Sequence, residues 1–101
     1  MLPDVIDLRY MGGYRLWLAF HNGVAGEVDL RSHMQFTGVF RPLQDNSYFA
    51  QVRVDREAGT IVWPNHADLD PVVLYSWVTK RNIEDILAEP DPSRPTIQKS
   101  T

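Results

Sequence analysis

Gly59-Thr60-Ile61-Val62-Trp63-Pro64-Asn65-His66-Ala67-Asp68-Leu69-Asp70-Pro71 holds a strand, a turn and a helix start in one short stretch. It commits the chain to mixed α and β structure. The β-branched run Thr60-Ile61-Val62 favours a pleated surface. Pro64 and Asn65 suit the backbone of a turn. Asp70 is a cap for the orphan amides of a helix, and Pro71 fits its first position, where no amide hydrogen is needed. Leu74, Trp77 and Val78 then recur at helical spacing, which predicts a helix to about Lys80. Asn82 can cap a further turn carrying Ile83, Ile86 and Leu87, so the pattern allows one helix or two.

The first thirty residues read as strands. Ile6, Leu8 and Tyr10 alternate with Asp7 and Arg9 over Val5 to Tyr10, and Met11-Gly12-Gly13 is a turn. Tyr14, Leu16, Leu18 and Phe20 point one way, with Arg15, Trp17 and Ala19 the other. His21-Asn22-Gly23 is a hairpin signal, and Val24 to Leu30 returns with Val24, Val28 and Leu30 inward. Gly26 is expected to weaken that strand or mark a bulge. Residues 31–44 look irregular, with Met34, Phe36, Val39, Phe40 and Leu43 as packing side chains. Asp45 caps a short helix at about 46–51. Val52 to Asp55 and Thr60 to Trp63 form a second hairpin. From Glu89 onward, Pro90, Pro92 and Pro95 among few apolar residues predict a flexible tail over 89–101, after one domain over 1–88.

Composition narrows the classes. Net charge is -3, from 10 basic and 13 acidic residues, which disfavours direct nucleic-acid binding, where clustered cations must displace counterions. With no cysteine, disulfide frameworks, thiolate metal sites and cysteine nucleophiles are excluded. Met1-Leu2-Pro3-Asp4 is not the start of a secretory signal, and no apolar run approaches the ~20 residues needed to span a bilayer. The expected location is the cytoplasm.

Several pieces together resemble the bacterial domain-of-unknown-function family numbered 2442. They are Val52-Arg53-Val54-Asp55, Gly59 to Asn65, Ala67 to Pro71 and Leu74-Tyr75, with Val28-Asp29-Leu30, Val39 to Leu43 and Tyr48-Phe49 upstream. The resemblance implies a small α+β domain, found alone or ahead of a helix-turn-helix. It also implies a toxin–antitoxin-like gene arrangement beside a short partner, and no established catalysis. The span after Leu74 is too short for the helix-turn-helix. The chain departs from the family at His66, where glycine is usual, and at Asn46, where proline is often found. A non-glycine residue in a left-handed conformation costs about 1 kcal/mol or more.

Five residues are candidates for binding: Arg15, Trp17, Asn65, His66 and Asp68. His66, Asp68 and Asp70 offer an imidazole and two carboxylates at alternate positions, a set able to ligate a metal. Their structural uses compete with that: Asp70 as helix cap, Asp68 as acceptor for turn amides. Pro64 and Asn65 either form a recognition turn or only steer the chain. Trp63 and Trp77 suit the core. Trp17, on the face with Arg15 and Ala19, is either an exposed anchor or lies under the segment containing Ile83, Ile86 and Leu87. No residue pattern marks a catalytic set. Ser32 and His33 are merely adjacent, His21 sits in a turn, and no nucleophile elbow or phosphate-cradling loop occurs.

The expected fold is therefore two-layer α+β. About five antiparallel strands, a meander plus a hairpin, are joined by a short middle helix and a carboxy-terminal helix. The expected function is a non-enzymatic protein-interaction module, the antitoxin-like or regulatory partner of a small neighbouring protein. No cofactor, metal, membrane or direct nucleic-acid contact is implied. Two alternatives stay open: a small-ligand- or metal-binding enzyme centred on Trp63 to Pro71, and a self-assembling structural domain, a homo-oligomer, using the Trp17 face or a sheet edge.

Overall fold

Val5–Tyr10, Arg15–Phe20 and Ala25–Asp29 form strands β1, β2 and β3 of an antiparallel sheet in the order β1-β2-β3. The computed structural model describes residues 3–88; the tail expected at 89–101 lies outside them. Gly12 and Gly13 make the first turn at φ 98° and 58°, where side chains are disfavoured. The alternation in β2 is as expected: Leu16, Leu18 and Phe20 are buried, while Arg15 is exposed.

In β1 the inward set is corrected at its start. Val5 pairs with Phe20 and Asp7 with Ala19, which leaves Ile6 as an extra residue. A bulge changes which residue of an alternating strand faces the core. Val5 is accordingly 1% exposed and Ile6 41%.

Arg53–Asp55 (β4) and Thr60–Val62 (β5) pair as a separate two-stranded sheet. The Val5 amide donates to the Gly59 carbonyl at 2.9 Å, joining this hairpin to the start of β1. Gly59 has φ 70°, a conformation that favours glycine, and a Cβ there would displace the Asp4 carboxylate. The region read as irregular contains two 3₁₀ segments, Leu30–Ser32 and Gly38–Gln44.

Helix α1, Asn46–Phe49, is shorter than expected and keeps its cap: the Ser47 amide and hydroxyl both donate to Asp45 Oδ1, at 2.9 and 2.8 Å. Helix α2, Pro71–Thr79, starts as read, with the Val72 amide donating to Asp70 Oδ1 at 2.9 Å. Lys80 is left-handed at φ 60°, and the Lys80 and Arg81 amides both donate to the Ser76 carbonyl. That closes α2. Two helices follow from it, the second being α3, Ile83–Ala88.

The core lies between the inner face of β1–β3 and these helices. Leu16, Leu18, Phe20 and Val28 meet Val72, Leu74, Tyr75 and Ile86, and Phe36, Phe49 and Trp63 continue the same buried cluster. Gly26 has a use other than the one expected. It pairs with Leu18 without a bulge, and a Cβ on it would lie 2.9 Å from Val78 Cγ1. The glycine lets α2 approach β3 closely. Trp77 is half-buried and packs against the core cluster, and its ring stacks on His33 at 4.8 Å.

Two outcomes follow. Gly26→Ala should lower stability by about 1–3 kcal/mol, because the stiff Val78 side chain cannot step aside; adding Val78→Ala should recover part of the loss, as read by urea unfolding. The Ser47 hydroxyl and amide hold the Asp45 carboxyl below its ordinary range. A depressed folded value means the cap stabilises above the ordinary carboxylate pKa and its contribution fades as pH falls through the folded value. The stability gap between the native chain and Asp45→Ala should therefore narrow on acidification.

Candidate functional site

The Trp63–Pro71 stretch opens on a hairpin loop, closed between Trp63 and Ala67, whose plan the chain builds twice. The Trp63 amide donates to the Ala67 carbonyl at 3.0 Å and the His66 amide to the Trp63 carbonyl at 2.8 Å. The Ala67 amide donates to Asn65 Oδ1 at 3.2 Å. In the β2–β3 turn the same three bonds recur. The Phe20 amide donates to the Val24 carbonyl at 2.8 Å, the Gly23 amide to the Phe20 carbonyl at 3.0 Å, and the Val24 amide to Asn22 Oδ1 at 3.1 Å. Both are three-residue loops ending in a left-handed residue. That residue is Gly23 at φ 91° in one and His66 at φ 70° in the other. His66 thus keeps the geometry that glycine serves elsewhere in the chain.

The second asparagine function is also shared. Asn22 Nδ2 donates to the Tyr75 hydroxyl at 3.1 Å, and Asn65 Nδ2 donates to the Val39 carbonyl at 2.9 Å. Each asparagine closes its loop with the oxygen and fastens the loop to a neighbouring segment with the nitrogen. The two Asn residues at matching loop positions were the signal in the sequence that could have shown this.

The remaining polar residues of the stretch are placed by the same construction. Asp68 is corrected: its backbone bridges to Val62, while the turn amide it was expected to receive bonds Asn65 instead. Asp70 caps α2. The Thr60 hydroxyl donates to the Leu69 carbonyl, which fixes the approach to that cap. His66, Asp68 and Asp70 are all exposed, and no group of three or more His, Asp or Glu side chains among the described residues is close enough to hold a metal ion. Pro64 is exposed, while Trp63 is fully buried with Nε1 donating to the Phe49 carbonyl at 3.0 Å.

Arg15 and Trp17 lie elsewhere, on the outer face of β1–β3. The structure therefore divides the sequence candidates between two places: Asn65, His66 and Asp68 in the loop, Arg15 and Trp17 on the sheet. Trp17 is half-buried yet is not among the side chains that pack on the core cluster. Among the described residues Arg9 lies over it, with its guanidinium 5.2 Å from the ring centroid. Arg15 Nη1 stands 3.5 Å from Glu27 Oε1, and Arg15 Nη2 donates to the Met11 carbonyl at 2.9 Å. An exposed pair of this kind adds little stability; it orients the two side chains. The segment proposed to cover Trp17 goes elsewhere: α3 packs on α2, and Ile83 and Ile86 face the core. Arg9 and Glu27 belong to the same face and were missed, because strand register rather than sequence spacing sets them beside Trp17.

The chain belongs to the family described as a protein of unknown function (DUF2442), whose model matches residues 5–80. No curated protein and no solved structure matches it. No helix among the described residues is long and apolar enough to cross a membrane.

If the loop's demand on residue 66 is conformational, His66→Gly should stabilise the protein. Relief of about 1–2 kcal/mol of left-handed strain, less about 0.5–1 kcal/mol for the extra freedom of glycine when unfolded, leaves roughly 0.5–1 kcal/mol. Gly23→His in the sister loop should move stability the opposite way by a similar amount. Thermal melts of both variants test the pair.

Proposed function

We propose that this chain is a non-enzymatic protein-interaction module whose contact surface is the outer face of β1–β3, anchored on Trp17. The observation that carries the reading is an indole held off the core, on a rigid sheet face, with a guanidinium laid over it. Trp and Arg supply most hot-spot energy where they pack centrally in an interface, and Arg9 and Trp17 are already arranged for that without further ordering. Glu27 and Arg15 beside them give the face charges of both signs, which favours a protein over a polyanion or a lipid surface.

The partner we infer is a small protein encoded by a neighbouring gene, in the antitoxin-like or regulatory arrangement that the family resemblance implies. The loop residues Asn65, His66 and Asp68 are not needed for this reading, since two of the three have structural uses.

Co-expression with the adjacent gene product tests it. The two proteins should co-purify, and Trp17→Ser should weaken the complex by about 30-fold, the effect of losing a hot spot of about 2 kcal/mol. Two proteins that pass each other in the pull-down overturn the proposal.

A further inference from the structure

The outer face of β1–β3 carries its charge in a pattern that a second copy of the chain can read. Strand register sets Arg9 opposite Trp17 and Trp17 opposite Glu27. The central row across the sheet therefore runs cation, indole, carboxylate. The neighbouring row runs Asp7, Ala19, Ala25, and its two alanines leave room for side chains that approach from above.

Consider a second copy placed face to face by a two-fold axis parallel to β2 and passing over Trp17. Each β1 then lies over the β3 of the other copy. Arg9 of each copy meets Glu27 of the other, and the two Trp17 rings, each with its Arg9 guanidinium beside it, face one another across the axis. That unlike-charge contact is formed twice, as an isologous interface requires. An axis across the strands would instead set Arg9 on Arg9 and Glu27 on Glu27, a like-charge arrangement that opposes association. The charge pattern thus selects one of the two in-plane axes. Arg15 meets its own copy in the favoured arrangement, and Asp29, opposite it on β3, sets a carboxylate beside that contact.

We propose that this face is a self-complementary dimer surface occupied by a second copy of the chain. The proposal rests on the reading of the face as a contact surface, and it makes the second copy a competitor of the small protein partner. Three strands about 4.8 Å apart form a narrow face, smaller than the ~800 Å² per partner of a standard interface. The dimer is therefore a weak one that forms with rising concentration and exchanges readily.

The test is sedimentation equilibrium of the full chain across roughly micromolar to millimolar concentration, where an interface this small should associate. The native chain should pass from monomer to dimer. Arg9→Glu sets carboxylate against carboxylate, and Glu27→Arg sets guanidinium against guanidinium; each variant alone should dimerise about tenfold or more weakly than the native chain. Mixed one to one, the two variants should associate, since positions 9 and 27 again face unlike charges across the interface. The double variant Arg9→Glu with Glu27→Arg should also dimerise. Circular dichroism checks that each variant is folded, and the native chain supplies an arm that needs no variant: its dimer should weaken as salt is raised.

A native chain that stays monomeric throughout overturns the proposal, as does a dimer indifferent to salt or a variant mixture that fails to associate. The contact-surface reading is judged separately: a monomeric chain that still captures its small partner through Trp17 removes the dimer and leaves that reading standing.

Discussion

The hydrogen bond from the buried Trp63 indole to the Phe49 carbonyl, at 3.0 Å, is the contact on which the rest of the chain converges. The indole is fully excluded from solvent, so a missing acceptor would cost about 1–3 kcal/mol. The bond ties the end of β5 to the last residue of α1. Phe49 in turn packs its ring on Tyr14 at 4.9 Å, Trp63 at 5.7 Å and Phe36 at 6.1 Å. Meander, 3₁₀ region, short helix and second hairpin therefore meet on two aromatic side chains. None of these last three pieces is long enough to be stable alone. Arg31 closes the edge of the group, with its guanidinium 5.0 Å from the Tyr14 ring centroid.

That convergence explains why the stretch richest in polar chemistry makes a poor site. To bring Trp63 under α1 and then start α2, the chain must turn sharply and cap a helix within a few residues. Asn65 is used twice, Asp70 caps, Thr60 holds Leu69, and His66 accepts a left-handed backbone. The side chains that could have formed a constellation are each directed at backbone groups or at solvent. The outer sheet face is under no such demand. Its large aromatic contributes nothing to the core cluster, and that freedom is why the functional reading moves from the loop to Trp17.

Much of the architecture was legible in local patterns. The alternation of Leu16, Leu18 and Phe20 oriented β2, and Asp45 and Asp70-Pro71 marked two helix starts where caps are found. Period and capping are properties of neighbouring residues, so they survive without knowledge of the fold. Ile6 misled because a bulge is decided by pairing with β2, and one extra residue reverses the facing of its neighbours. Gly26 misled because its reason is Val78, far away in the chain. For the site, Arg15 and Trp17 could be put on one face from alternation alone, but Arg9 and Glu27 could not join them until register was known.

The sequence by itself determined the kinds of element, their order, the turn and cap chemistry, and membership in a family of unknown function. These are short-range matters of φ preference, side-chain period and orphan amides. Tertiary structure alone decided that the five strands among the described residues separate into two sheets, that α2 ends at a left-handed Lys80 and α3 begins anew, and that the His66 and Gly23 loops share one hydrogen-bond plan. It also decided that cation, indole and carboxylate align in a row across three strands. Contacts between residues distant in the chain are set by pairing register and by close packing, and no local pattern encodes either.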